Sequence, residues 1–196
     1  MNNLGPDHIF DSNINPLELQ SIAKELEEYM IRTLDAEDKH LIRRNPEEHA
    51  PITTNIHDKY NILTYPDVTI SKLYHSISDA FYSIKPDGNY FIKMWLNVFK
   101  SDQYLSYHKH MQQNIDAFYG HVSIKGGGIT TYKNINTEET FDYKNKDGIF
   151  VLSRPCNDVQ HRTWPQSDER VTFGFDIANI KFIDKETRPF SFWVPL

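Results

Sequence analysis

The most chemically loaded stretch of the chain is Ser106-Tyr107-His108-Lys109-His110. In an extended segment residues i and i+2 point to the same face, so His108 and His110 can aim at one point, the spacing a chelate needs. A third histidine follows in Asp158-Val159-Gln160-His161-Arg162, just before another strand-like run. Two ligands close together on one strand and a third on a distant strand is how a β-barrel presents a three-ligand face to iron, with positions left open for substrate and oxygen. Arg170 comes next, in Glu169-Arg170-Val171-Thr172-Phe173-Gly174-Phe175-Asp176. Strand alternation puts Arg170, Thr172 and Gly174 on one face and Val171, Phe173 and Phe175 on the other. A cation and a hydroxyl projecting together suit a bidentate clamp on a carboxylate. The competing reading of Arg170 is a surface pair with Asp168 or Glu169. Upstream, Asn97 is the single polar residue in the run Met94 to Phe99, and a buried amide must find partners, either backbone groups or a ligand carboxylate.

The elements that must position these residues are legible in outline. Asn15-Pro16 looks like a helix start, and Leu17, Leu19, Ile22, Ala23, Leu26, Met30 and Ile31 recur at helical spacing, which predicts an amphipathic helix over 16–34. A second helix is expected over about 69–84, with Ile70, Leu73, Tyr74, Ile77, Ala80 and Phe81 on one side. Between them, 35–66 is polar, broken by Pro46, Pro51 and Pro66, and longer than a plain connection, so it reads as an ordered loop with short pieces of structure that covers the substrate. After the turn signal Lys85-Pro86-Asp87-Gly88 the character changes to β. Strands are expected at 90–99, 117–124, 128–132, 148–152 and 170–177, with a short apolar tail at 190–196. Helices followed by many short strands give an α+β chain, one domain over 1–196, with a helical and loop part at 1–86 and a barrel or sandwich at 87–196.

Composition removes several function classes. The 196 residues carry 21 Lys plus Arg against 27 Asp plus Glu, a net charge of -6, so no broad basic surface neutralises phosphates and nucleic acid is disfavoured as a partner. No apolar run approaches the ~20 residues needed to cross a bilayer. The opening residues also lack the basic and apolar regions of a signal peptide, so the expectation is a soluble, cytoplasmic protein without membrane partners. A single cysteine, Cys156, excludes a disulfide framework and any multi-thiolate metal site. If a metal is held, His and carboxylates hold it, and the chain has nine His.

Taken together, Trp95-x-Asn97, His108-x-His110, Tyr119-Gly120-His121, Thr131-Tyr132, His161-Arg162 and the run from Glu169 to Ile177 resemble the 2-oxoglutarate and Fe(II)-dependent oxygenases, in particular small members found in bacteria and marine phages. The resemblance covers about residues 90–180. It implies a double-stranded β-helix (jelly-roll) barrel with helices packed outside. It implies Fe(II) held by His108 and His161, 2-oxoglutarate gripped by Arg170 with Thr172, and Asn97 and Tyr132 beside the cosubstrate. It also implies oxidative decarboxylation of 2-oxoglutarate to succinate coupled to hydroxylase-type oxidation of a small molecule or a protein side chain, in a bacterial or phage-infected cytoplasm. One departure stands out: the superfamily normally has a carboxylate two residues after its first His, where this chain has His110. Either three imidazoles hold the iron, as the related small proteins suggest, or Asp116 reaches in as the carboxylate.

Two other readings compete. A cupin-type jelly roll would hold Zn, Mn or Fe through His108, His110 and His161 without 2-oxoglutarate, and a pure binding module would leave the His scattered. Arg170 discriminates, because only the oxygenase needs it buried and facing the metal. His121 can face the same cavity, whereas His8, His40, His49, His57 and His75 have no partner at ligand spacing. The sequence specifies neither the substrate nor the oligomeric state.

Overall fold

The computed structural model describes residues 4–33, 49–85, 87–110, 116–164, 167–183 and 192–196. Helix α1 (Pro16–Thr33) buries Leu19, Ile22, Ala23, Leu26 and Met30, the stripe its 3.6-residue period dictates. Helix α2 (Ile52–Asn55) is a single turn. Helix α3 (Val68–Ile84) begins at Asp67, whose carboxylate accepts from the N–H groups of Thr69 (2.6 Å) and Ile70 (3.2 Å), and it buries Ile70, Leu73, Ile77 and Phe81. Among the described residues no helix is long and apolar enough to cross a membrane.

Among the described residues, ten strands follow the chain as β1 (His8–Asp11), β2 (Tyr90–Phe99), β3 (Leu105–His108), β4 (Ala117–Lys125), β5 (Ile129–Asn134), β6 (Thr140–Lys144), β7 (Ile149–Ser153), β8 (Val159–Thr163), β9 (Arg170–Asn179) and β10 (Val194–Pro195). They form a six-stranded sheet in the order β1-β7-β4-β9-β2-β10 and a four-stranded sheet in the order β3-β8-β5-β6. Both are antiparallel, and the two sheets with helices packed outside the larger one make the expected double-stranded β-helix. Strands β1 and β6 were not anticipated, and β3 and β8 were expected only as the extended segments that carry the histidines. They are short and largely half-exposed, so they lack a clean apolar alternation.

The long strands β2 and β9 are buried along their whole length, which is why they read as nearly continuous apolar runs. Their two faces nevertheless do different work. Ile92, Met94, Leu96 and Val98 of β2 join Val171, Phe173, Phe175 and Ile177 of β9 and the apolar stripes of α1 and α3 in the main core. The alternate residues pair across the strands as Lys93 with Asp176, Trp95 with Gly174, Asn97 with Thr172 and Phe99 with Arg170. Of these, Trp95, Asn97, Phe99, Arg170, Thr172 and Gly174 line the space between the two sheets. One-residue alternation thus separates a packing face from a polar one.

Part of the expected covering loop, 35–48, lies outside the described residues. The remainder seals the edge of β2 beyond the reach of the two-residue strand β10. The Val98 N–H donates to Thr53 Oγ1 (3.1 Å), the Leu96 N–H to Tyr60 Oη (3.0 Å) and the Met94 N–H to Asn61 Oδ1 (3.1 Å). Side chains here replace a neighbouring strand and satisfy backbone donors that would otherwise be left open.

Candidate functional site

His108 closes β3 and lies directly opposite His161 of β8, so the ladder between these strands brings two imidazoles together across 53 residues of sequence. His110 lies just past the end of β3. One nitrogen from each of His108, His110 and His161 can be chosen so that all three lie within 4.8 Å of one another. Two of the tautomers are set by their partners. His108 Nδ1 donates to the Ser106 carbonyl (2.8 Å) and His110 Nδ1 donates to Asp176 Oδ1 (2.9 Å), since neither acceptor has a proton to give. In its neutral form each ring then carries its lone pair on Nε2. Burial holds His108 down at about 4, and it also holds His161 well below the ordinary histidine range, helped by the charges of the neighbouring imidazoles and Arg170. Neutral imidazoles of this kind suit a divalent metal that accepts nitrogen, Fe(II) included. Tyr119 lies parallel to His110 (4.6 Å between centroids, 3°) and to His161 (5.2 Å, 8°), which fixes the ring planes.

The three His form one end of a narrow cavity of about 50 Å³ between the sheets. Arg170, 2% exposed, lines the same cavity with Asn97, Thr130, Thr172 and His121, and no carboxylate lines it among the described residues. Asn97 donates to Thr172 Oγ1 (3.1 Å) and accepts from Thr54 Oγ1 (2.6 Å). Arg170 Nη2 donates to Thr130 Oγ1 at a long 3.4 Å, while the buried Nε and Nη1 meet no partner among the described residues. Burial pulls Arg170 down to about 10, still charged at neutral pH. A buried guanidinium with two open donors and no counter-charge is costly, several kcal/mol by the usual reckoning, and it suits an incoming carboxylate. His121 completes the wall. Asn145 spends its amide donors on the Gly128 carbonyl and Thr130 Oγ1, so its Oδ1 accepts from His121 Nε2 (2.6 Å). Burial and then the Arg170 charge hold His121 near 4 and hence neutral.

A second, more open pocket of about 270 Å³ shares Trp95, Leu105, His108 and His110 with the first and adds Thr54, His57, Lys109 and Asp176. The imidazole cluster thus stands between an inner cavity ending at Arg170 and an outer one open to solvent. Gly174 makes room for the shared wall, because a Cβ there would lie 2.7–2.8 Å from the Trp95 indole. His57 carried no sequence signal of a site, and Asp176, although inside the run that carries the resemblance, was given no role. His57 sits in a segment without periodicity, and the approach of Asp176 to His110 depends on the packing of β9 against the residues after β3.

The structure brings together His108, His110, His161, Arg170, Thr172 and Asn97 as lining of one cavity. Tyr132 is not among the lining residues. The β5–β8 register places it opposite His161, its ring 5.7 Å away and 1% exposed, two pairs beyond the Thr130–Thr163 pair that does border the cavity. Asp116 is also elsewhere: its carboxylate accepts from Tyr90 Oη (2.5 Å) and pairs with Lys85 (3.5 Å). The alternative surface pairing of Arg170 is not seen, and Glu169 instead pairs with Lys100 and Lys125.

No family model and no curated protein matches the chain. Solved structures do. A Pseudomonas putida prolyl-4-hydroxylase superposes with a TM-score of 0.59 at 9% identity, over 88% of this chain and 84% of that one. The fold is 2OG-Fe(II) oxygenase-like. A non-heme monooxygenase, solved as the ThoJ-Ni complex, superposes with a TM-score of 0.57 at 14% identity, over 89% of this chain and 74% of that one. At these identities the 2OG-Fe(II) oxygenase-like likeness is one of fold, and what the site does is argued from its own residues.

Proposed function

We propose that the protein is an Fe(II)- and 2-oxoglutarate-dependent oxygenase that oxidises a small molecule or a protein side chain presented at the outer pocket. One observation carries the reading. A buried arginine with two unpartnered donors lines the same cavity as three imidazoles whose nitrogens lie within 4.8 Å of one another. A metal-only cupin reading has no use for such an arginine. His108, His110 and His161 would hold the iron, and Arg170 with Thr172 would hold the far carboxylate of 2-oxoglutarate. Bound Fe(II) supplies oxygen activation coupled to decarboxylation of 2-oxoglutarate to succinate.

The chain's own residues do the rest. Arg170 orients the cosubstrate by a charge-assisted bond in a cavity without competing carboxylates. Asn97 holds Thr172 in place from the neighbouring strand and is itself held by the Thr54 hydroxyl of α2. The Trp95 indole and the Tyr119 ring wall the imidazoles and exclude water. The cavity is narrow, so seating a five-carbon dicarboxylate requires its side-chain walls to part and extends the ligand towards the His cluster. The test is anaerobic titration of the Fe(II)-loaded protein with 2-oxoglutarate, read in the visible. A metal-to-ligand charge-transfer band in the wild type that Arg170→Ala abolishes is the expected result, and a wild type without the band contradicts the reading.

A further inference from the structure

The chain lacks a carboxylate at the position of His110, yet it holds one against the far side of that ring. We infer that Asp176 is a positioning residue that fixes His110 with Nε2 on the metal and returns, through the imidazole, the negative charge that a carboxylate ligand would have brought. This rests on the metal reading above.

His110 lies past the end of β3, so the β3–β8 ladder does not orient it. The Nδ1 to Oδ1 bond of 2.9 Å joins two largely enclosed side chains, 14% and 12% exposed. Tyr119 covers the His110 ring at 4.6 Å and Trp95 lies near-parallel at 6.1 Å. The ring plane is thus set by its neighbours, and its tautomer by Asp176. A carboxylate accepting from the non-ligating N–H of a metal-bound imidazole makes that imidazole more basic, and losing such a partner typically costs about 10–100-fold in metal affinity.

The placement on β9 adds to the case. Arg170, Thr172 and Asp176 share one face of the strand, about 20 Å from first to last at ~3.3 Å per residue. One strand therefore carries the cation for the cosubstrate at one end and the anion for the metal ligand at the other. Three neutral imidazoles alone would leave a divalent ion with its full charge, and Asp176 offsets part of it.

Two measurements test this. Long-range nitrogen–proton NMR on the metal-free protein should show His110 protonated at Nδ1 in the wild type and in Asp176→Asn, whose amide oxygen still accepts, but not in Asp176→Ala. Calorimetric titration with Zn(II) alone should show affinity about tenfold weaker in Asp176→Asn and 10–100-fold weaker in Asp176→Ala, with the thermal midpoint of the metal-free Asn variant unchanged. Wild-type His110 protonated at Nε2, or both variants binding Zn(II) within twofold of wild type, would overturn the inference. A wild type that binds no Zn(II) at all would instead overturn the metal reading, while the NMR result still decides whether Asp176 sets the ring.

Discussion

The two faces of the six-stranded sheet are built from the same strands and differ in almost every other respect. On the helix side, Ile92, Met94, Leu96, Val98, Phe173 and Phe175 pack against α1 and α3 without a polar atom to satisfy. On the side facing the second sheet, Lys93, Asn97, Arg170, Thr172 and Asp176 are just as enclosed and are polar or charged. Buried polar groups weaken a fold unless each has a partner, and Arg170 leaves two donors open. The difference teaches a division of labour: one face supplies the free energy of folding, and the other spends part of it to hold reactive groups in fixed positions.

Substitutions can break that division from either side. The largest effect is expected from Phe173→Ala, which empties a fully buried site on the helix face and should lower stability by about 3–5 kcal/mol in denaturant titration. Arg170→Ala should do the reverse. Its 2-oxoglutarate affinity should fall about 100-fold, roughly 2.7 kcal/mol, while its stability holds or rises because an uncompensated buried charge is removed. A variant that lost stability as Phe173→Ala does would erase the distinction between the faces.

Smaller effects sharpen it. Gly174→Ala pushes a methyl into the Trp95 indole and should cost about 1–3 kcal/mol, with a shift in tryptophan fluorescence and weaker cosubstrate binding. The pH dependence is smaller still per unit. His121 is held near 4 in the folded chain, below its ordinary 6.5, so the unfolded chain binds the extra proton between those values. Stability of the metal-free protein should therefore fall as pH drops from about 6.5 to 4, with His121 contributing at most about 1.4 kcal/mol per pH unit. His121→Gln, which cannot titrate, should flatten the slope of thermal midpoint against pH, and an unchanged slope would contradict the neutral, enclosed His121 described here.

Sequence alone went far where a strand is long and buried. The alternation in β9 placed Arg170 and Thr172 on one face, the run in β2 singled out Asn97 as its one polar residue, and the spacing of His108, His110 and His161 matched a β-barrel ligand set. It fell short where position depends on tertiary register. Tyr132 sits in a strand that reaches the site through Thr130, but it lies two residues further along, opposite His161, and does not line the cavity. Asp176 is six residues from Arg170, and its partner His110 comes from a segment after β3 with no pattern of its own. His57 belongs to the edge-sealing stretch, whose hydrogen bonds run from side chain to strand backbone and leave no periodic trace.

The central claim, that one enclosed polar face binds both a metal and a dicarboxylate, is tested most directly by a crystal structure of the protein with Mn(II) and 2-oxoglutarate. The account predicts Mn(II) on Nε2 of His108, His110 and His161, with the far carboxylate of 2-oxoglutarate against the guanidinium of Arg170 and the hydroxyl of Thr172. A metal held by other side chains, or a 2-oxoglutarate that leaves Arg170 untouched, would contradict it.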